Sequence, residues 1–423
     1  MSFTLITHLD NLSNSVIIDT YYMSKKTKPK SDLQGINHLV IDATIGITDL
    51  VEAMHKRIVH PPLLPSTPIQ NLITNIAGIT FKNIRWSTKL IGSGLDKALG
   101  QLTPLLKKTK TSNEKEAIRS ALNGIVGDYL EIKDNPLQIH MSFRYQSKEI
   151  TLDTDRLNEI YPSINGKILL MIHGSCMNDI QWTRKGHNHG EALAKELNLT
   201  PIYLHYNSGR HISSNGQDLN AVLETLVSQW AVPIEQLDII GHSMGGLIAR
   251  SALHYSSIEP KTWTKYLKKV VFLGTPHHGS PVERTGNYLD VILESIPYTK
   301  PFARLGKIRS SGVTDLRRGN LVDEDWQNND RFELQSDQRQ HIPLPENIAF
   351  YAIAASIEKS TKNKYPKIVG DTLVDVKSAL GQHKDPDKNL HFKEEQTWIA
   401  FENTHVDLLS DHKVYGKIKA WLT

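Results

Sequence analysis

Short apolar runs alternate with helix-like stretches from residue 167 to the end of the chain. The runs are KILLMI, PIYLHY, LDII, KKVVFL, NIAFYAIAA and TWIAF, and stretches such as GEALAKEL and DLNAVLETLVSQWAV separate them. A parallel strand is buried on both faces and needs a crossover to reach the next strand, so this alternation is typical of a parallel sheet covered by helices. The sequence therefore predicts an α/β fold with a doubly wound, mostly parallel sheet.

The 423 residues exceed the length of one usual domain. Apolar residues recur at steps of three and four from Ile36 to Ile58, which predicts a helix with a buried face, and helical spacing continues over 69–104. We therefore predict a helical accessory region over 1–145 and a main domain over 146–423. Residues 280–345 are polar and charged with few strand-like runs, which favours a lid or cap insertion.

Charge, cysteine content and hydropathy exclude several classes of function. The 49 basic and 45 acidic residues are mixed along the chain, so we expect no nucleic-acid partner. The single cysteine, Cys176, excludes an intramolecular disulfide and a Cys-rich metal site. No signal-peptide pattern is present, and no apolar run approaches the roughly 20 residues of a transmembrane helix. We expect a soluble, cytoplasmic protein of unknown oligomeric state; the N-terminal helices pack on the core or, alternatively, contact a second copy or a membrane surface peripherally.

The segment IIGHSMGGLIAR, residues 239–250, contains a serine in the spacing G-x-S-x-G. QLDII before it is a strand candidate and GGLIARSALHY after it is a helix candidate, so Ser243 lies at a strand-to-helix turn. Side chains at Gly241 or Gly245 would crowd the strand and the helix there. The helix N-terminus at Met244 offers a backbone N–H to a developing oxyanion. Ser243 is the candidate nucleophile; the alternative is an ordinary small residue at a tight turn.

A serine nucleophile needs a base to take its proton and an acid to orient that base. In doubly wound folds with such a serine, the acid and then the histidine follow it along the chain. Asp371 follows a short apolar run in KIVGDTLVDVKSALG, where Asp375 is the alternative. His405 lies between the last strand candidate and the terminal helix candidate. We predict that Asp371 is the acid and His405 the base.

The loop HGSCMND after the first strand candidate is the expected source of a second oxyanion donor. Its glycine permits a close approach of the backbone, so we predict that the amides of Ser175 and Met244 form the oxyanion hole. If the register of this loop differs by one residue, the amide of Cys176 takes the place of the Ser175 amide. Otherwise Cys176 is interpreted as a small buried residue. His173 and His242 flank this pocket and are interpreted as packing or hydrogen-bonding residues.

These motifs, together with YNSGRHISSNG and VVFLGTPHHGSPVERTGN, resemble the α/β-hydrolase superfamily. The resemblance is to its lipase and esterase branch, which includes the inositol-deacylase-like, PGAP-type serine hydrolases, and it covers roughly 165–423 apart from the insertion. It implies an α/β-hydrolase fold and cleavage of carboxylic esters through an acyl-enzyme, with a triad of Ser243, Asp371 and His405. In lipase-like relatives the segment after GTPHHG often forms a lid, and 280–345 occupies that place.

We predict no cofactor and no required metal. The adjacent His277 and His278 would point to opposite faces of an extended strand, so they cannot easily share one ion. The stretch DLRRGNLVDEDWQNNDRFE is strongly charged, whereas the lids of triglyceride lipases are usually apolar inside, so a water-soluble or amphiphilic ester is as well supported as bulk fat. Two alternatives are acyl transfer to an alcohol, and a membrane- or partner-docking protein that carries a hydrolase module.

Overall fold

The computed structural model describes residues 113–285, 288–296, 299, 309–327, 337–359 and 370–423. The predicted accessory region before residue 113 lies outside these ranges, as do parts of the predicted insertion over 280–345. Statements below about what is absent refer to the described ranges.

An eight-stranded sheet forms the centre of the molecule, in the order β10-β9-β8-β7-β3-β6-β1-β2. The six strands from β10 to β6 pair in parallel, and β1 and β2 add an antiparallel edge. A separate antiparallel pair, β4 and β5, follows the first central strand. The strands are β1 (Ser142–Tyr145), β2 (Lys148–Glu149), β3 (Lys167–Ile172), β4 (Thr183–Arg184), β5 (His187–Asn188), β6 (Thr200–His205), β7 (Gln236–His242), β8 (Leu267–Leu273), β9 (Ala349–Ser356) and β10 (Thr397–Phe401).

Helices flank this sheet, which confirms the predicted doubly wound, mostly parallel α/β fold. The α-helices within the described ranges are α1 (Asn113–Ile132), α2 (Thr154–Ile160), α3 (His189–Leu197), α4 (Ile212–Gln229), α5 (Met244–Ile258), α6 (Pro281–Thr285), α7 (Tyr288–Ser295), α8 (Ser311–Asp315), α9 (Val376–Ala379) and α10 (His412–Leu422). Short 3₁₀ helices occur at Asp179–Trp182, Thr262–Lys265, Asp323–Asp325, Pro386–Lys388, Glu394–Gln396 and Asp407–Leu409.

The central strands form where the sequence is continuously apolar. Residues 168–172 of β3 are completely buried, and every residue of β6 is buried, because helices cover both faces of the parallel part of the sheet. The six predicted apolar runs coincide with β3, β6, β7, β8, β9 and β10. Parallel strands end at the same edge, so the loops after β3, β7, β8, β9 and β10 lie near one another.

Helix α1 packs against this domain through a buried ionic cluster. Arg144 of β1 donates to Glu116 of α1 at 2.9 Å and lies 3.2 Å from a carboxylate oxygen of Asp179, which follows β3. The Asn123 side chain in the middle of α1 also donates to the carbonyl of Leu137 and accepts the N–H of Ile139, both in the segment after the helix. The sheet thus begins at Ser142, and α1 is attached to it; the domain division at 145/146 stays a prediction.

In the part of the chain that the structure describes, no helix has both the length and the apolar composition that a membrane crossing requires.

The contact between α1 and the loop after β3 leaves no room for a side chain at Gly124. A Cβ there would lie 2.2 Å from the Sγ atom and 2.9 Å from the Cα atom of buried Cys176. We expect Gly124→Ala to lower the free energy of unfolding by about 1–3 kcal/mol, the usual cost of overpacking. Urea unfolding followed by circular dichroism measures this change.

Gly416→Ala in α10 is the matched control, because a Cβ at that helical position meets no atom within 4 Å. Alanine favours a helix over glycine by roughly 1 kcal/mol, so this variant should be slightly more stable than the wild type. Equal unfolding midpoints for the Gly124→Ala variant and the wild type would contradict the close packing of α1 on this loop.

Candidate active site

Ser243 occupies the tight turn between β7 and α5 in a strained backbone conformation, with φ 54° and ψ −122°. Non-glycine residues rarely adopt positive φ, and such strain is concentrated at functional sites. The N–H of Ser243 donates to the carbonyl of Leu273 at the end of β8, at 2.8 Å. The turn is therefore anchored to the neighbouring strand.

Close backbone contacts leave no room for side chains at the glycines around Ser243. A Cβ at Gly241 would lie 2.7 Å from the Cα atom of Gly246, and one at Gly245 would lie 2.3 Å from the carbonyl oxygen of Ile172. Both contacts involve backbone, which cannot move aside cheaply. The spacing G-x-S-x-G thus lets α5 pack directly on β3 and β7 immediately after the serine.

His405 and Asp371 form a buried hydrogen-bonded pair. The Nδ1 atom of His405 lies 2.6 Å from Oδ2 of Asp371, and each residue is 1% exposed. The other carboxylate oxygen of Asp371 accepts the N–H groups of Leu373 at 3.0 Å and Val374 at 2.8 Å. The carboxylate is therefore fixed in place, while Nε2 of His405 is buried and has no hydrogen-bond partner.

Asp375, the alternative acid, is exposed at the N-terminus of α9, and its side chain makes no capping hydrogen bond. The structure therefore brings Asp371, rather than Asp375, to the imidazole of His405.

His405 lies against the strand end that anchors Ser243. Gly274 follows Leu273 at that end, and a Cβ there would lie 3.0 Å from Cε1 of His405. His242, next to the serine, donates from Nε2 to the carbonyl of His405 at 3.2 Å. The loops after β7, β8 and β10 thus meet at one edge of the sheet, with Asp371 reaching the same point from the segment after β9.

The hydroxyl of Ser243 is within hydrogen-bond distance of Tyr288, 3.3 Å from its phenolic oxygen. Tyr288 begins α7 in the predicted insertion and is completely buried, and this burial raises the pKa of its hydroxyl, which stays protonated at neutral pH. Sequence reasoning missed this residue. The chain has 14 tyrosines, and no periodicity or motif in the sequence distinguishes Tyr288 from the others.

The loop after β3 passes beside the serine, since a Cβ at Gly174 would lie 3.1 Å from Cβ of Ser243. The N–H of Cys176 donates to the hydroxyl of Ser208 at 3.0 Å, so that amide is already engaged. No protein acceptor within the described ranges takes the N–H of Ser175. The N–H of Met244 belongs to the first turn of α5, whose amides have no intrahelical partner.

Two further histidines near the serine have carbonyl partners. His173 donates from Nδ1 to the carbonyl of Gly174 at 2.8 Å and stacks on Tyr206. Burial lowers the pKa of His173 to about 4 and the pKa of His242 well below its usual value. Both rings are therefore neutral at pH 7 and act as packing and hydrogen-bonding residues.

Cys176 is a buried free thiol, and burial raises its pKa to about 12, so a reactive thiolate is not formed at neutral pH. Within the described ranges, no group of three or more His, Cys, Asp or Glu side chains is arranged to hold a metal ion. The absence of a metal requirement stays a prediction.

Comparison with solved structures gives distant similarities to lipases and esterases. The mature form of the Bacillus licheniformis lipase BlEst2 is 15% identical over 67% of this chain and 98% of that chain, with a TM-score of 0.41. The Pyrococcus furiosus esterase Pf2001 is 16% identical over 61% and 80%, with a TM-score of 0.35. Aspergillus fumigatus lipase B is 9% identical over 90% and 83%, with a TM-score of 0.39.

No curated protein matches the sequence. A family model, described as the PGAP1-like alpha/beta domain, matches residues 163–380, more than half of the chain. The matched segment contains Ser243 and Asp371 and ends before His405. The chain therefore belongs to the PGAP1-like alpha/beta domain family, which confirms the predicted resemblance to PGAP-type members of the α/β-hydrolase superfamily.

Proposed function

We propose that this protein hydrolyses carboxylic esters through an acyl-enzyme formed on Ser243. The observation that carries the proposal is the buried pair of His405 and Asp371, whose Nδ1–Oδ2 distance is 2.6 Å, beside the strand end that anchors Ser243. A carboxylate on Nδ1 fixes the imidazole tautomer and leaves Nε2 as the proton acceptor. The family assignment supports the same chemistry.

In the proposed acylation step, Oγ of Ser243 attacks the ester carbonyl while its proton passes to Nε2 of His405. The negative charge of Asp371 stabilises the resulting imidazolium. When the tetrahedral intermediate collapses, the bond from the acyl carbon to the alcohol oxygen breaks, and the departing alcohol takes the proton from His405. A water molecule then attacks the acyl carbon and gives one proton to His405. The bond from the acyl carbon to Oγ breaks, the acid departs, and Oγ takes that proton from His405, which regenerates Ser243.

The amides of Ser175 and Met244 are the proposed oxyanion donors. The positive end of α5 adds a partial charge at the same place, and donors that are fixed before the reaction need no reorganisation as charge develops. Engagement of Cys176 by Ser208 supports Ser175 as the donor from this loop. Removal of one such donor typically costs about 10²–10³ in kcat.

The substrate is proposed only by class, as a small-molecule or lipid ester. Helix α7 of the predicted insertion lies beside Ser243, since the hydroxyl of its first residue, Tyr288, is within hydrogen-bond distance of Oγ. This position supports the proposal that 280–345 acts as a lid. Acyl transfer to an alcohol would use the same acyl-enzyme.

Ser243→Ala should reduce turnover of short-chain p-nitrophenyl esters by at least about 10³-fold, because the nucleophilic oxygen is lost. A fluorophosphonate probe should label wild-type Ser243, and labelling should fall steeply in the His405→Ala variant. Ser257→Ala is the control, since Ser257 is an exposed serine near the end of the same helix. Turnover near the wild-type rate in the Ser243→Ala variant would show that another residue is the nucleophile.

Asp371→Asn should lower kcat by about 10²–10⁴-fold, because an amide cannot stabilise the imidazolium and favours the wrong tautomer. Asp375→Asn is the matched control and should stay within about twofold of wild type, since that carboxylate is exposed and makes no hydrogen bond to His405. Steady-state kinetics with the same ester measure both variants. The reverse pattern would transfer the role of acid to Asp375.

Tyr288→Phe should increase the rate of fluorophosphonate labelling by about 2–10-fold, because the net value of one hydrogen bond is roughly 0.5–1.5 kcal/mol. Without the phenolic oxygen, Oγ of Ser243 is released to bond Nε2 of His405. Tyr206→Phe is the control, since its hydroxyl donates to the carbonyl of His173 and does not contact Ser243. A fall in kcat with unchanged KM for the Tyr288→Phe variant would instead assign Tyr288 to oxyanion stabilisation.

A further inference from the structure

Arg250 is a buried cation without a carboxylate partner. It lies on α5, seven residues beyond Ser243 and so about 10 Å further along the helix axis. Its side chain is 4% exposed, and no carboxylate of the described residues forms an ion pair with it. Burial, with Arg339 nearby, lowers its pKa to about 9, so it is still charged at pH 7. A buried guanidinium without a counter-charge is energetically costly.

Arg250 and the neighbouring His277 each have one buried nitrogen without a hydrogen-bond partner. One terminal nitrogen donates to the carbonyl of Ile342 at 2.7 Å and the other lies 3.3 Å from Nδ1 of His277, while Nε has no partner. Arginine can only donate, so Nδ1 of His277 accepts and the imidazole proton is on Nε2. That atom is also buried and unpartnered. Arg250 and His277 thus each present an N–H group without an acceptor.

Both residues line one cavity behind the loop that follows β8. The centre of a water molecule can occupy a volume of about 20 Å³ in it. One water needs roughly 10–15 Å³ by this measure, so the cavity has room for one small ion and not for an ion with several waters. The basic lining consists of Arg250, His277, His278, Arg339, His341 and Lys388.

The charges around this cavity do not balance. Asp337 is the shared partner of Arg339, at 2.9 Å, and of Lys388, at 3.3 Å. The oxygens of Asp325 accept backbone N–H groups and do not form an ion pair with Arg250. Among the described residues, three permanent cations around the cavity therefore have two carboxylates close to them, which leaves one excess positive charge in a largely buried place.

We propose that this cavity, between Arg250, His277 and Lys388, is a binding site for a small oxyanion of the phosphate class. An oxyanion supplies the acceptors that the unpaired N–H groups lack and the negative charge that the surrounding side chains lack. A metal ion does not fit, since the Nε2 atom of His277 carries a proton and the site is cationic. The inference does not depend on ester hydrolysis.

A bound anion would stabilise the loops that border the cavity. The N–H of His278 donates to the hydroxyl of Ser378 at 3.1 Å, and that hydroxyl donates to the carbonyl of Gly279 at 2.8 Å. Ser378 belongs to α9, which follows Asp371 in the chain. Occupancy of the site should therefore raise the thermal stability of the folded chain.

The test measures Tm of the full chain in Tris chloride at pH 7 while sodium phosphate replaces sodium chloride at constant ionic strength. Phosphate should raise Tm saturably, by about 3 °C or more, as expected for a ligand that binds only the folded state. Phosphate also stabilises proteins generally by exclusion from their surface, and that effect does not saturate. Calorimetric titration with inorganic phosphate provides a direct second measurement.

Arg250→Met should remove the saturable part of the Tm shift, and Lys388→Met should weaken phosphate binding. Lys388→Met keeps the test decisive if the Arg250→Met variant does not fold, because Lys388 lies at the half-buried rim. Lys148→Met is the control for a lost cation, at the opposite edge of the sheet in β2. A shift that is linear, or that is equal in all four proteins, would overturn the proposal.

Two further measurements identify the source of the anion and distinguish anion binding from the proposed ester hydrolysis. An equal shift with glycerol 2-phosphate supports a phosphoryl group carried on a larger soluble molecule, whereas a shift with inorganic phosphate alone supports the free ion. Ser243→Ala should keep the full phosphate shift. Loss of ester turnover with the phosphate shift retained would show that the two sites are independent.

Discussion

The close approach of α5 to the sheet after Ser243 determines the geometry of the whole site. A serine with positive φ at the end of β7 requires the next helix to start at once, and Gly245 and Gly246 let its backbone touch β3 and β8. The cost of that strain is of order 1–3 kcal/mol, which the buried strands on either side offset. Because the serine amide is bonded to Leu273, the loop after β8 and His405 are fixed relative to the same turn.

The central sheet could be predicted from the sequence because its strands are buried on both faces. In such strands nearly every residue is apolar, so the runs are visible without knowledge of their neighbours. The edge strands β1 and β2 were not predicted, since they are short and contain charged residues. Arg144 of β1 is buried with its guanidinium in ion pairs. Helix α1 lies within the helical region predicted over 1–145, but its own bounds were not predicted. Its buried face includes Lys115 and Glu116, which the sequence shows as part of a charged stretch.

Chain order was enough to propose the acid and the base, and their catalytic roles stay predictions. Chain order did not decide between Asp371 and Asp375 as the acid. The carboxylate of Asp371 is held in place by backbone N–H groups that only the folded loop brings together. The position of Tyr288 could not be predicted, because it depends on where an inserted helix packs on the sheet edge. A contact between residues 45 positions apart has no local sequence signal.

The environment of each histidine explains why the proposed base differs from its neighbours. His173 and His242 are as buried as His405, but their ring nitrogens donate to carbonyls, which cannot balance a full positive charge. An imidazolium at either position would be a buried cation with no counter-charge, and burial accordingly lowers the pKa of both rings. At His405 the carboxylate of Asp371 lies on Nδ1 and would supply that counter-charge. The proposed proton transfer from Ser243 would thus be electrostatically compensated at one of the three rings around the turn.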